Sequence, residues 1–136
     1  MVKADTKHYY YALGRRKSAT ARVRLMNGKG IITINGKEMT EYLCDSKFLQ
    51  NDILKPFAVL EIESNKYDVS AVVKGGGIHG QAEAIRLGVA KALSLMNTDL
   101  KSTLKRSKLL GRDPREKERK KFGLKGARKQ RQFTKR

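Results

Sequence analysis

Acidic residues are scarce in this sequence, and that scarcity is its strongest compositional feature. The 136 residues include 13 Asp and Glu against 31 Lys and Arg, which gives a formal net charge of +18. So large an imbalance destabilises a compact chain through self-repulsion. A polyanionic partner that neutralises the excess is the usual explanation, and nucleic acid is the commonest such partner.

Long apolar runs are also missing. No segment approaches the roughly 20 apolar residues of a membrane span, and no apolar run near the first residue resembles a secretory signal. The sequence therefore predicts a soluble cytoplasmic chain with no membrane partner. Cys44 is the only cysteine, so no disulfide can form within the chain, and we expect it to be a small buried hydrophobic residue.

Groups that would carry catalysis or bind a metal are sparse as well. His8 and His79 lie far apart in the sequence without a cysteine cluster near either, which disfavours a zinc site and Cys–His catalysis. Glu61 and Glu63 resemble a catalytic carboxylate pair, but they alternate with apolar residues as a solvated strand face does. The sequence predicts no catalytic residue, metal, cofactor or small-molecule substrate, and hence no enzyme.

A glycine-rich loop is the one feature that resembles a nucleotide-binding motif. Gly75, Gly77 and Gly80 have the spacing of the dinucleotide fingerprint, and Asp99 follows about 20 residues later. The preceding strand is not the first of a βαβ unit, however, and no apolar strand follows the next helix. A phosphate-binding loop of the NTPase type would also need Lys and Ser or Thr where this chain has Gln and Ala.

Two interpretations of the glycine loop remain open. Glycines before a helix can expose backbone N–H groups to an RNA phosphate, which would make Gly75, Gly76 and Gly77 part of an RNA-binding site. They can equally form a tight turn that only packing requires. His79 lies in the same loop, where it either contacts RNA or serves the turn.

The apolar pattern predicts an α+β fold, a four-stranded sheet with helices on one face. Asn27-Gly28 predicts a hairpin turn between the first two strands, and Pro56 is expected to end the second helix. The predicted strands are 21–26, 31–34, 57–63 and 67–73, and the predicted helices are about 38–43, 47–55, 81–97 and 99–110.

Basic residues cluster on and before the first predicted strand. Its alternation places arginines on one face and Val23 and Leu25 on the other. Arginines in a line along a strand suit successive phosphates, whereas the alternative is a solubilising, cation-rich edge strand. The predicted RNA-binding residues of this region are Arg15, Arg16, Lys17, Arg22 and Arg24.

The charge is concentrated at the end of the chain. Residues 101–136 hold 16 of the basic and 3 of the acidic residues, against 15 and 10 in residues 1–100. Segment 112–136 has four scattered apolar side chains, too few to offset the entropy of ordering it, so we expect a disordered basic tail after a folded domain at 1–111. Its predicted RNA-binding residues are Arg112, Arg115, Arg119, Lys120, Lys121, Lys125, Arg128, Lys129 and Arg131.

Three segments make the chain recognisable as a whole. YALGRRKSATARVRL (11–25), GGGIHGQAEAIRLGVAKAL (75–93) and the basic run at 112–136 closely resemble the bacterial form of the S-nine family of small-subunit ribosomal proteins. The resemblance implies a domain of the ribosomal S-five domain-two type. It also implies a tail that threads through small-subunit ribosomal RNA, with Lys135 and Arg136 contacting the peptidyl-site transfer RNA.

The leading hypothesis is therefore a structural ribonucleoprotein component that acts in translation. Its expected partners are small-subunit ribosomal RNA, peptidyl-site transfer RNA and neighbouring small-subunit proteins. Its expected location is the cytoplasmic ribosome, with an organellar ribosome as the less favoured alternative. The alternative is a free RNA-binding protein or RNA chaperone, which high salt would wash from the subunit.

Overall fold

Five strands form one mixed sheet in the computed structural model of the chain, which describes residues 8–135. The spatial order is β1-β2-β5-β3-β4, with β3 parallel to β5 and the other neighbours antiparallel. The strands are β1 (Tyr9–Arg16), β2 (Ala19–Asn27), β3 (Ile32–Ile34), β4 (Lys37–Glu38) and β5 (Tyr67–Lys74). The helices are α1 (Met39–Tyr42), α2 (Lys47–Val59), α3 (Ile78–Met96) and α4 (Leu100–Arg106).

The core lies between one face of the sheet and the helices, as the sequence predicts. In β2, Val23 and Leu25 are fully buried while Arg22 and Arg24 are exposed on the opposite face. The apolar stripe of α3 is fully buried as well, and this helix lies across β1, β2 and β5. The members of that stripe are Ala82, Ile85, Val89 and Leu93.

Two glycines bring α3 unusually close to the sheet. A Cβ atom at Gly14 of β1 would lie 1.8 Å from the backbone oxygen of Ala84. A Cβ atom at Gly88 of α3 would lie 2.5 Å from a methyl group of Val23. Since real Cβ atoms do not approach other atoms so closely, the contact between helix and sheet depends on glycine at both positions.

The predicted number of strands is wrong because two observed strands, the two-residue β4 and the longer β1, were missed and one predicted strand does not form. The larger omission is β1. Its segment contains three consecutive tyrosines and shows no alternation of polar and apolar residues. Tyrosine is amphipathic and suits either face of a half-buried strand, so the period of two is hidden. The sheet therefore gains an edge strand that pairs with β2 along its full length.

The strand predicted at 57–63 is also wrong, because α2 continues through Pro56 to Val59. Leu49, Ile53 and Phe57 recur at helical spacing and are buried. The burial of Phe57 and Pro56 offsets much of the roughly 3 kcal/mol that proline costs a helix interior. Glu61, with φ of 55°, then ends the helix where Gly is more usual.

The predicted hairpin between the first two predicted strands does not form, because β5 lies between β2 and β3. The loop after β2 crosses the end of β5 instead. Asp68 holds this loop by accepting hydrogen bonds from the backbone N–H groups of Lys29 and Ile31 at 2.8 and 2.9 Å. The Asn27-Gly28 sequence thus predicts that the chain turns, but it does not predict which strand pairs with β2.

Other details differ from the sequence expectations. Cys44 is exposed, not buried, with φ of 51° in the turn after α1. The helix α3 begins at Ile78, three residues earlier than predicted, so it includes His79 and Gly80. No described helix combines the length and apolar character that crossing a membrane requires.

Candidate nucleic-acid interface

The sheet face opposite the helices carries arginines and tyrosines. Arg22 and Arg24 project from β2, and Tyr9 and Tyr11 project beside them from β1, which is an edge strand. Tyr11 pairs directly with Arg24 across the two strands, and the guanidinium of Arg24 lies 5.2 Å from the centre of the Tyr9 ring. The predicted orientation of both arginines is confirmed, whereas the tyrosines were missed together with β1.

A shallow groove of about 420 Å³ crosses this face. Both tyrosine rings are nearly half exposed, at 47% for Tyr9 and 46% for Tyr11. The strands β1, β2 and β5 present one carboxylate on this face, Asp68, and its oxygen accepts the loop hydrogen bonds already described. The groove is lined by Tyr9, Tyr11, Arg22, Arg24, Ser70 and Val72.

Arg16 occupies a different position from its neighbours. Its side chain is only 15% exposed and points to the helical side, where its Nε donates to Glu83 at 2.6 Å. Its Nη1 also donates to the backbone oxygen of Arg115 at 2.8 Å, so Arg16 joins the body to the start of the tail. Arg15 remains exposed, and Lys17 is exposed in the β1–β2 turn with φ of 52°.

The glycine loop packs closely against that β1–β2 turn. Gly75 and Gly76 have φ of 74° and 65°, and a Cβ atom at Gly75 would lie 2.6 Å from the backbone oxygen of Ser18. These two glycines therefore have a structural reason to be glycine without a ligand. Gly77 differs, since a Cβ atom there would meet nothing within 4 Å, and it precedes the exposed start of α3.

The side chains around the glycine loop have identifiable contacts. Gln81, at the position where an NTPase loop has lysine, donates to the backbone oxygen of Gly75 at 3.1 Å and accepts from the Tyr42 hydroxyl at 2.7 Å. Nδ1 of His79 lies 3.8 Å from a carboxylate oxygen of Glu83, and its side chain remains 60% exposed. Both side chains border the start of α3, and only His79 is free to reach a partner in solution.

The start of the tail is fixed by a carboxylate that two arginines approach. Asp113 accepts from the guanidinium of Arg115 at 2.8 Å and from its backbone N–H at 3.0 Å, and Nη2 of Arg16 lies 3.6 Å away. The hydrogen bonds from Arg115 lower the pKa of Asp113 from 3.8 to about 2. The carboxylate is therefore ionised at neutral pH and holds the tail beside β1.

The middle of the tail folds back on itself around a second carboxylate. Glu118 accepts from Lys121 and from Arg128, and the hydrogen bond from Lys121 is the main reason that the pKa of Glu118 is lowered. Leu124 and Gln130 form an isolated β-bridge that closes this turn. Lys121 and Arg128 therefore face a protein carboxylate, although both were predicted to bind RNA.

The remaining tail cations are exposed, and no carboxylate within residues 8–135 lies within ion-pair distance of them. They are Arg112, Lys117, Arg119, Lys120, Lys125, Lys129, Arg131 and Lys135. Two aromatic rings accompany them, Phe122 at 98% and Phe133 at 88% exposed. Arg136, predicted to contact transfer RNA, lies outside the described residues.

Comparison with known proteins shows which family the chain belongs to. The model of the family described as Ribosomal protein S9/S16 matches residues 14–136. The chain belongs to this family. The Small ribosomal subunit protein uS9 of Malacoplasma penetrans is 52% identical over 127 residues, which cover 93% of this chain and 96% of that protein.

Two further relatives carry the same name. The uS9 protein of Mycoplasma genitalium is 51% identical over 132 residues, covering 96% of this chain and 98% of that protein. The uS9 protein of Prochlorococcus marinus is 48% identical over 131 residues, covering 96% of each. These matches confirm the resemblance drawn from the sequence, and they confirm that the chain is a ribosomal protein of the small-subunit type and not an enzyme.

Proposed function

We propose that this member of the S9/S16 family binds small-subunit ribosomal RNA through two surfaces, the open face of its sheet and a basic tail at 112–136. The body at 1–111 would dock on RNA while the tail lies between RNA helices. Its cations would displace counterions from phosphates, which supplies affinity without reading a base sequence. The end of the tail would contact the peptidyl-site transfer RNA.

The arrangement of charge on the sheet is the observation that carries this proposal. Arg22 and Arg24 are exposed on neighbouring sites of one strand, about 6.7 Å apart along the backbone, on the part of the face formed by β1, β2 and β5, where Asp68 is the single carboxylate. Guanidinium groups form strong charge-assisted hydrogen bonds with phosphate oxygens. A line of them suits consecutive phosphates of one RNA strand better than it suits a scattered set of acidic side chains.

The start of α3 would supply a further phosphate contact. The N-terminus of this 19-residue helix faces solution beyond Gly77, and no side chain caps it among the described residues. Unsatisfied N–H groups and the helix dipole favour an anion at such a site. His79 is exposed in the first turn of α3 and Lys17 is exposed in the β1–β2 turn that packs against the glycine loop, and both would approach the same RNA strand.

The geometry of the tail sets how far its end reaches. An extended chain from 112 to 136 would span about 80 Å, at roughly 3.3 Å per residue. The bridge between Leu124 and Gln130 removes the intervening residues from that span, which leaves about 60 Å. This still exceeds the radius of gyration of roughly 13 Å expected of the body. Lys135 and Arg136 could therefore act at a functional site distant from the docking surface.

Sedimentation with ribosomal subunits tests the proposal. Small subunits reconstituted without their own protein of this family would be mixed with the chain and centrifuged through sucrose in high salt. We expect the chain to remain on the small subunit, because buried tail contacts exchange slowly, and not on large subunits in the matched control. A chain that washes off both subunits would be a free RNA-binding protein or chaperone, contrary to the proposal.

A further inference from the structure

We infer that the groove on the open sheet face binds an unpaired RNA nucleotide whose base stacks on Tyr11. The inference rests on the proposed RNA-binding function and deepens it, because it assigns a base-stacking site where the cations alone indicate only phosphates. Its key residues are Tyr9 and Tyr11, which are uncharged, so the distribution of charge in the sequence does not point to them.

The two tyrosines have different surroundings, which gives them different roles. The face of the Tyr9 ring is covered by the guanidinium of Arg24 at 5.2 Å, a cation–π contact that holds the arginine in the groove. Tyr11 has no such cover, since no described ring or cation stacks on it. Tyr9 therefore positions Arg24, and Tyr11 is left as the free stacking surface.

The surroundings of Tyr11 fit a nucleotide rather than an apolar ligand. Arg24 pairs directly with Tyr11 on one side and with Ser70 on the other, so a ring, a guanidinium and a hydroxyl lie in one row across three strands. A base on the ring would place its phosphate toward Arg22 or Arg24 and its ribose toward Ser70. The groove volume of about 420 Å³ lies within the roughly 300–1,000 Å³ of small-ligand sites.

The aromatic character selects unpaired RNA over a duplex. Bases in a duplex are stacked on one another and present only grooves and phosphates, whereas splayed bases of loops and bulges stack on exposed aromatic rings. Tyr9 and Tyr11 are separated by about 6.7 Å along β1, so a base stacked on Tyr11 need not contact the Tyr9 ring. A looped strand running along β1 can thus bring a base to Tyr11 without disturbing the contact between Tyr9 and Arg24.

Photocrosslinking of the full-length protein provides a local test. The probe is a short single-stranded RNA with a central 5-iodouridine, compared with the same RNA annealed to its complement, both at physiological ionic strength. Mass spectrometry would locate the crosslinked residue. We expect the single strand to crosslink at Tyr11, and the duplex to crosslink there at least about fivefold less, as loss of one stacked base implies.

Variants separate stacking from structure. Tyr11→Ala should weaken the binding of the single-stranded RNA about 5- to 150-fold, whereas Tyr11→Phe, which keeps the ring, should leave that affinity within about twofold of wild type. Leu95→Ala is the control, because Leu95 is an apolar side chain 60% exposed on α3, on the side of the sheet opposite the groove. Thermal melting of each variant would confirm that the fold is retained, as expected for a side chain on the solvent face.

Failure of this inference would be distinguishable from failure of the proposed function. Crosslinks confined to the tail, around Phe122 and Phe133, would overturn the stacking site while leaving RNA binding intact. Equal crosslinking of single strand and duplex at the sheet would reduce this face to a phosphate-binding surface and also overturn the inference. If the wild-type protein bound neither RNA, the proposed function itself would fall.

Discussion

The body and the tail of this protein are stabilised by different interactions. Buried apolar side chains run from Ala12 to Leu109, and none of the described residues after Leu109 belongs to that core. The tail is arranged by polar contacts alone, chiefly those of Asp113 and Glu118. Burying a Leu or Ile side chain stabilises a fold by about 1.5–3 kcal/mol, whereas exposed ion pairs contribute roughly 0–1 kcal/mol.

Because of this difference, we expect the body and the tail to respond differently when no RNA is bound. The body has its own core and should keep its structure in isolation, while the tail lacks any comparable source of stability. The carboxylates Asp113 and Glu118 bias the tail toward its conformation, but exposed contacts of this kind cannot offset the ordering of some 25 residues at about 1–2 kcal/mol each. The RNA would supply the difference.

Deleting residues 112–136 should have the largest effect on RNA binding. If about six tail cations contact phosphates, the tail contributes about −4 to −5 to the log–log dependence of affinity on salt. A fourfold rise in salt concentration would then lower the tail's contribution to the RNA-binding constant about 250- to 1,000-fold. The truncated chain would lose this part of the salt dependence. Titrations of small-subunit RNA at several salt concentrations measure the slope. An unchanged slope would mean that the tail does not contact RNA.

Substituting Gly14 should have the largest effect on the body. Gly14→Ala forces a methyl group against the backbone oxygen of Ala84, which cannot move without displacing α3. We expect the free energy of unfolding to fall by about 3 kcal/mol, the upper end of overpacking effects. Gly111→Ala is the matched control, because a Cβ atom there meets nothing within 4 Å. Equal denaturant midpoints for the two variants would show that the helix can shift freely.

The same contrast explains which features of the fold the sequence could predict. In β2 and α3 each apolar position faces the core at the expected period, because burial of these side chains dominates the local energetics. The apolar residues of 57–63 fit both the period of a strand and the period of a helix. The predicted strand is wrong because Phe57 continues the buried stripe of α2 past Pro56. Local periodicity cannot weigh a proline against the burial of residues that another helix covers.

The candidate site was predictable in its charges and not in its partners. Arg22 and Arg24 follow from alternation alone, because any half-buried strand exposes them. Arg16 and Asp113 meet only because β1 and the residues after α4 lie side by side, a contact across 97 positions that no local pattern contains. The position of Tyr11 in the groove could be predicted only if β1 were recognised as a strand. The run of three tyrosines, which hides the alternation of β1, therefore hides this position too.

Replacing both arginines of the open face should affect RNA docking without affecting the fold. Arg22→Ala with Arg24→Ala removes two exposed cations opposite Val23 and Leu25, so little cavity forms. We expect RNA affinity to fall about 10- to 100-fold and the salt slope to lose about 1.4–1.8. Lys101→Ala with Lys105→Ala on α4 is the charge-matched control. A large drop in the melting temperature of the arginine variant would make these residues structural.

Removing Lys135 and Arg136 should have a smaller and more specific effect. If the upstream cations anchor the tail as proposed, small subunits should assemble normally, while transfer RNA affinity at the peptidyl site falls about 5- to 10-fold. This loss of about 1–1.4 kcal/mol is smaller than two full charge-assisted hydrogen bonds would give, because contacts at a free chain end are exposed to solvent and the terminal carboxylate opposes both cations. Filter binding of deacylated transfer RNA to intact and trimmed subunits measures the change. Subunits that fail to assemble after trimming would contradict this assignment.

The smallest expected effect concerns the pH dependence of the tail's attachment. Because Arg115 donates to Asp113, the pKa of Asp113 is lowered from 3.8 to about 2. A depressed carboxyl pKa gives stabilisation that is fully present above the unfolded value, and that is lost as the pH falls from about 4 through 2. Mild acidification from neutral pH to about 5 should therefore leave the start of the tail beside Arg16. Arg115 is exposed and Asp113 is partly exposed, so solvent screening keeps the stabilisation of the tail modest. The titration midpoint of Asp113 is therefore the quantity to measure.

Nuclear magnetic resonance of the Asp113 carboxyl carbon would measure that midpoint directly. In Arg115→Ala the midpoint should rise from about 2 part of the way toward 3.8, because the guanidinium hydrogen bonds, the largest cause of the lowered pKa, are lost while the backbone N–H at 115 can still donate. Arg119→Ala, which removes an exposed cation without a carboxylate partner among the described residues, should leave it in place. The two variants carry the same change in net charge, so the comparison isolates the contact itself. A wild-type midpoint near 3.8 would show that Asp113 does not hold the tail, and that its path beside the body is set by RNA alone.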